Sequence, residues 1–320
     1  MRRTPITVFA ILILLVPMGV LVRAEITPQS SSASAQAPSP IRALLIVAHP
    51  DDEYEMAGTI YKITKELGGA VDQVIITDGE AGYRYSFLAS RYYGADLTIE
   101  STGRAELPRI RRQEAHRAAL ILGIRHQWFL GERDAKFTLD VHEVLSSWNT
   151  RRLSKSLVDR LQKGNYDAVF VLLPSESTHG EHKAATILAL EAAQAIPENR
   201  RPAIIAADAA QEQGETYQPL AGYPVTATTS VKPVFGFDRD VHFGFNNALS
   251  YAIVVNWVIA EHKSQGLFQT MVNHDRFEDF WLFNLSGNSA LDRIRPSLED
   301  ISRDPATAEK GIVPASSNGR

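Results

Sequence analysis

The sequence predicts a single α/β domain in which a doubly wound, mostly parallel sheet carries helices on both faces. From Ile41 onward, strand-like and helix-like stretches alternate, as the crossovers between parallel strands require. Two apolar runs, Leu44-Leu45-Ile46-Val47 and Ala168-Val169-Phe170-Val171-Leu172-Leu173, are unbroken rather than alternating, the pattern of strands covered on both sides. At 320 residues with 44% hydrophobic side chains, the chain can bury one sizeable core, so one domain of ~250 residues plus extensions accounts for it.

Leu44 to Val47 opens the sheet. Met56, Ile60, Ile63 and Leu67 follow at spacings of four, three and four, which makes one apolar helical face, and Gly68-Gly69 can end that helix. Val71 to Thr77 is the next strand. Ala115, Ala118, Ala119 and Leu122 mark a helix after Arg111, Gln127 to Leu130 a short strand, and Leu153 to Leu161 a further helix. The strand from Tyr166 to Pro174 then runs into the helical stretch Lys183 to Gln194. Ile204 to Ala206 and Val231 to Phe235 are later strand candidates, and Ala248 to His262 reads as a closing helix. Residues 211–247, rich in Gly, Pro and aromatics, read either as a wall or lid over a substrate or as a surface meander. Leu285 to Arg320 is rich in Ser, Asn, Asp and Pro and is expected to form a loosely packed tail.

The N-terminus reads as separate from this domain. Met1-Arg2-Arg3 precedes an apolar run from Ile6 to Val22, and Val22-Arg23-Ala24 is an acceptable small-residue cleavage site. The run is at the short limit for a membrane span and carries its positive charge on the starting side. The expectation is export, to a periplasmic or extracellular location, with residues 6–22 either removed or kept as a membrane anchor. Thr27 to Pro40 lacks periodicity and reads as a linker. The expected organisation is therefore a leader or anchor (1–24), a linker (25–40), the folded domain (41–285) and an extension (286–320).

Composition excludes several functions. A formal net charge of -4 without a long basic stretch leaves no electrostatic footprint for nucleic acid. The absence of cysteine removes disulfides, thiolate metal sites and a Cys nucleophile together, so any metal must be held by His and carboxylate.

Such groups stand behind both apolar runs. Ala48-His49-Pro50-Asp51-Asp52-Glu53 follows the first, and Ser177-Thr178-His179-Gly180-Glu181-His182 follows the second. Strand ends in a doubly wound sheet lie along one edge, so the two clusters can converge. Adjacent like charges at Asp51 and Asp52 repel unless a cation lies between them or one is protonated, which suggests a site rather than a solvated turn. Two histidines and a carboxylate, with one imidazole and one carboxylate to spare, are what an open catalytic zinc site requires.

On these motifs the chain resembles the zinc-dependent N-deacetylases of the PIG-L/LmbE type, which act on substrates containing N-acetylglucosamine. Residues 48–53 stand as that family's signature and His179-Gly180-Glu181-His182 as its second motif, with Glu181 where Asp is usual. Thr77-Asp78-Gly79-Glu80-Ala81-Gly82, Arg111-Arg112-Gln113-Glu114 with Leu122-Gly123, and Phe129-Leu130-Gly131 with Asp134 resemble its intervening segments. His262-Lys263-Ser264-Gln265 is similar to its late signature, so the match covers roughly 42–285.

The resemblance implies a Rossmann-like fold and a metal-dependent hydrolysis of an N-acetyl group on a small-molecule or glycoconjugate amino sugar. It implies that His49, Asp52 and His182 bind Zn²⁺, or another divalent ion such as Fe²⁺, leaving a position for water. Asp51 would then be the general base, since adjacent extended side chains point apart. His179 would stabilise the oxyanion as an imidazolium, with Glu181 or another carboxylate keeping it protonated. Arg111 matches a substrate-contacting position, though beside Arg109 and Arg112 it reads equally as a salt-bridged face, and Asp134 a position that holds sugar hydroxyls. Glu80, after a strand, is a wall of the site or a turn. Two other readings stay open: an amidase for a non-sugar acyl amide, and a non-catalytic carbohydrate-binding protein on an enzyme fold.

Overall fold

The computed structural model describes residues 40–266, 274–286 and 288–303. The expected leader, linker and the far end of the tail lie outside these residues, Pro40 apart. Among the described residues no helix is long and apolar enough to cross a membrane.

In chain order the elements are β1 (Arg42–Val47), α1 (Ala57–Tyr61) with a π-helical turn after it, β2 (Ala70–Thr77), α2 (Phe87–Tyr93), α3 (Glu100–Leu122) and β3 (Gln127–Glu132). There follow α4 (Val141–Ser147), α5 (Thr150–Gly164), β4 (Ala168–Leu172), α6 (Gly180–Gln194) and β5 (Ala203–Ala210). Last come β6 (Phe235–Asp238), β7 (His242–Phe243), β8 (Leu249–Ser250), α7 (Tyr251–Glu261), β9 (Phe277–Leu282) and α8 (Asn288–Ser302).

Seven strands form one sheet in the order β3-β2-β1-β4-β5-β9-β6. Strands β1 to β5 pair in parallel, while β9 runs antiparallel to both β5 and β6. The unbroken apolar runs are explained by the two layers on either side. Leu45 and Val47 point into the layer built from α1, α3, α7 and α8, and Leu44 and Ile46 into the layer built from α4, α5 and α6. Strand succession reverses between β1 and β4, so the carboxyl ends of these neighbours flank the crevice where open α/β sheets bind ligands.

Three expectations change. The tail is not loose up to Arg303: Ala290, Ile294 and Ile301 of α8 are fully buried against the core, because the polar residues that suggested a tail alternate with an apolar helical face. The late strand lies at Phe235–Asp238 rather than from Val231, and β9 pairs with it. Residues 211–247 form no wall over the site: Tyr217 and Phe237 are buried in the two packed layers instead.

Strand β9 is tied to α1 by a buried carboxylate. Glu278 accepts hydrogen bonds from the Gly58 and Thr59 amides at 2.8 and 2.9 Å and from Arg239 Nε at 2.9 Å. Gly58 has to be glycine, since a Cβ there would stand 2.4 Å from the Phe237 ring. Both side chains of the Arg239–Glu278 pair are essentially inaccessible to water. Arg239→Ala strands the Glu278 charge and is expected to cost about 3–5 kcal/mol, read as a lower urea midpoint at unchanged slope.

Candidate active site

The turn after β1 is built by Asp52. Its Oδ2 accepts the Ala48 and His49 amides at 2.9 and 2.8 Å, which leaves Oδ1 free to face outward. His182 enters from the first turn of α6, where Thr178 Oγ1 meets its Nδ1 at 3.2 Å. Three donor atoms then converge. His49 Nδ1 lies 3.0 Å from His182 Nε2 and 3.5 Å from Asp52 Oδ1, and His182 Nε2 lies 3.2 Å from Asp52 Oδ1.

That triangle fits a metal. Four ligands arranged tetrahedrally at about 2.0–2.2 Å from zinc stand about 3.3–3.6 Å from one another, close to the separations of this trio. His49 also converges with His179 and His182, and with Asp134 and Glu181. Glu181 is committed elsewhere, however, since its Oε2 lies 2.9 Å from His49 Nε2. A neutral His49 that donates its Nε2 proton to Glu181 would present an unprotonated Nδ1 to a metal bound here, the outer-shell arrangement that orients ligating histidines. The electrostatics agree with a cation site. Burial opposes the Asp52 charge, but His182 and His49 outweigh it and hold its pKa well below the carboxylate range. Burial likewise opposes charge on His49, yet Asp52 and Glu181 raise its pKa well above the ordinary value.

Asp51 points away from this trio. Its Oδ1 accepts Arg111 Nη2 at 2.6 Å, and Arg111 Nη1 donates to the Gly79 carbonyl at 2.6 Å. Gly79 adopts a positive φ of 67°, and a Cβ there would stand 2.3 Å from Arg111 Nη1, so glycine is what lets the guanidinium in. Arg111 is therefore not on a solvated face: it is buried, lines the cavity and holds Asp51.

His179 also departs from expectation. No carboxylate bonds it, because Glu181 reaches past it to His49, the longer Glu arm making that contact possible. Burial, helped by the neighbouring His49 and His182, pushes the His179 pKa down to about 3, which favours a neutral imidazole over the expected imidazolium. The Lys136 carbonyl favours its protonated form, but neither ring nitrogen makes a hydrogen bond of normal geometry.

A cavity of about 510 Å³ opens over these groups. His49, Asp51, Asp52, Arg111, His179 and His182 line it together with Asp134. Glu80 does not line it: its Oε2 accepts the Asp134 amide at 3.2 Å while Asp134 Oδ2 accepts the Ala81 amide at 3.1 Å, so the two acids brace neighbouring loops. The late motif is fastened to buried carboxylates. His262 Nε2 lies 2.8 Å from Glu53 Oε1, and Ser264 Oγ donates to Glu114 Oε2 at 2.6 Å, which brings Gln265 to the cavity wall. Tyr83, Tyr85, Arg133 and Phe137 of that wall carried no signal in sequence, since they belong to irregular segments without motif spacing.

The chain is similar in sequence to known proteins. Residues 44–193 match the family described as PIG-L: GlcNAc-PI de-N-acetylase. A protein of Bacillus anthracis named "Probable N-acetyl-alpha-D-glucosaminyl L-malate deacetylase 2" is 32% identical over 164 residues, which are 51% of this chain and 64% of that protein. A protein of the same name from Bacillus cereus is 25% identical over 161 residues, 50% of this chain and 64% of its own length. The chain thus spans less than two thirds of the length of these relatives. Among solved structures, N,N'-diacetylchitobiose deacetylase from Pyrococcus horikoshii aligns with a TM-score of 0.49 at 21% identity, covering 77% of this chain and 84% of that one.

Proposed function

Residues 44–193 of this chain are a PIG-L family domain, and from that premise we propose that the protein is a metal-dependent deacetylase which hydrolyses the N-acetyl group of an N-acetylglucosamine-type substrate. One observation carries the reading: the carboxylate Asp51, held by Arg111, stands in one cavity with a three-donor trio and the His179 imidazole. A binding protein needs no base beside its ligands.

His49, Asp52 and His182 would hold the ion. A divalent metal such as zinc, when bound there, supplies Lewis acidity and a water whose pKa is lowered from 15.7 to about 7. Asp51 takes the proton of the attacking water and later delivers it to the leaving amine, as amide hydrolysis requires. Arg111 fixes the Asp51 carboxylate in direction, so that only one oxygen is engaged by the protein. His179 donates an N–H to the oxygen of the scissile carbonyl as negative charge develops there. Its neutral form suits this, because a proton already resides on one nitrogen and no counter-charge has to be desolvated.

The cavity mouth supports an amino-sugar substrate bearing an acidic group. Tyr83 and Tyr85 line it, and Arg84, Arg104 and Arg133 bring positive charge to the lining beside Glu100, which can attract an anionic group. N-acetylglucosaminyl L-malate, named for both Bacillus relatives, has that character. The test is acetate release from a panel comprising that compound, N-acetylglucosamine and N-acetylated amino acids at equal concentration. Turnover of the sugar amides with the amino acids untouched is expected; the reverse order would establish an amidase of non-sugar substrates.

Glu181 supplies a separate prediction. Glu181→Gln keeps a hydrogen-bond acceptor for His49 but removes its charge, and is expected to weaken zinc affinity about 10–100-fold, as measured by competition with a chromophoric chelator.

A further inference from the structure

We propose that Phe137 is the positioning residue for His179, doing by ring stacking what a carboxylate partner does for most catalytic histidines; this rests on the deacetylase reading above. A catalytic imidazole has to be held at one orientation, ordinarily by a hydrogen bond to a third group. His179 has no side-chain acceptor of this kind: the Lys136 carbonyl beside it falls short of normal hydrogen-bond geometry, and Glu181 is engaged by His49. What contacts the ring instead is aromatic. Phe137 stacks on it with centroids 4.9 Å apart and planes at 24°, while His182 meets it nearly edge-on at 5.6 Å and 80°.

The segment that carries Phe137 is pinned on both sides. Before it, Arg104 donates to the Asp134 and Ala135 carbonyls at 2.9 and 2.6 Å, and Trp148 Nε1 donates to the Arg133 carbonyl at 3.2 Å. After it, the Gly180 amide donates to the Thr138 carbonyl at 2.7 Å and Lys183 Nζ to the Leu139 carbonyl at 3.0 Å. Gly180 is the residue next to His179, so the stack is fixed to the backbone that bears the imidazole. Phe137 is nevertheless 65% exposed, a large cost for a phenyl ring whose contribution to the core is small. Its placement is accounted for by the ring it covers. Stacked there, it makes tilting of the His179 ring out of the shared plane the costly motion.

The test compares wild type, Phe137→Ala, Phe137→Tyr, His179→Ala and the double variant Phe137→Ala/His179→Ala, all as zinc-loaded full chains. On N-acetylglucosaminyl L-malate, Phe137→Ala is expected to lower kcat about tenfold or more with KM nearly unchanged, since it misaligns a group that acts in the transition state. Phe137→Tyr should restore the rate, and the double variant should be no slower than His179→Ala alone. A raised KM at unchanged kcat, or losses that add in the double variant, would overturn the proposal and make Phe137 a substrate platform. A second readout does not depend on turnover. The His179 ring resonances, assigned in histidine-labelled protein by their loss in His179→Ala, should move downfield in Phe137→Ala and stay in place in Phe137→Tyr. Unchanged shifts in Phe137→Ala would overturn the stacking role even if the wild type released no acetate, whereas shifted resonances in an inactive wild type would refute the deacetylase reading alone.

Discussion

Asp51→Asn is expected to lower kcat for acetate release by about 10²–10⁴-fold, the usual share of a positioned acid-base group, while zinc content stays at the wild-type level. Two facts separate these effects. The proposed metal position is built on Asp52, whose carboxylate is locked by the Ala48 and His49 amides rather than by Asp51. The amide keeps the size of the carboxylate and can still accept from Arg111, so the turn is preserved and only the proton acceptor is removed. Stopped assays on matched zinc-loaded samples would measure it. A variant turning over within a few-fold of wild type would mean that another group takes the proton.

His182→Ala is expected to remove both metal and activity. It takes one donor from a trio and leaves His49 and Asp52, two ligands where closed or catalytic zinc sites use three or four protein groups. His182 is partly exposed and contacts Thr178, His49, Asp52 and the His179 ring at the cavity rather than the apolar core, so the fold should survive its loss. Metal analysis after dialysis, with a thermal unfolding curve as control, would show zinc falling from about one per chain to near zero in a cooperatively folded protein. Zinc retained at full occupancy would transfer the ligand role to the alternative grouping of His49, Asp134 and Glu181.

Much of this was legible before any coordinates. Runs such as Leu44 to Val47 could only be covered strands, and polar clusters at two strand ends could only meet at the sheet edge, which is where β1 and β4 lie side by side. The adjacency of Asp51 and Asp52 was an anomaly that packing could not explain, and they do diverge to different tasks. Strand β9 escaped notice because Glu278 and Asp279 interrupt its apolar pattern, and the amides that each accepts lie far away in sequence. Arg111 looked like one member of a solvated basic run, since nothing local reveals that a glycine carbonyl and a carboxylate await it on other segments. The Glu181 partner was missed for a related reason. Sequence gives the charge of a side chain but not which of two nearby imidazoles its extra methylene lets it reach.

The account rests on metal-dependent chemistry at the β1–β4 crevice, and the most direct test is acetate release from N-acetylglucosaminyl L-malate by chelator-stripped protein before and after one equivalent of zinc. Release that is negligible in the stripped chain and restored by the ion is the predicted result. Equal release from the stripped and reloaded chains, or none from either, would contradict it.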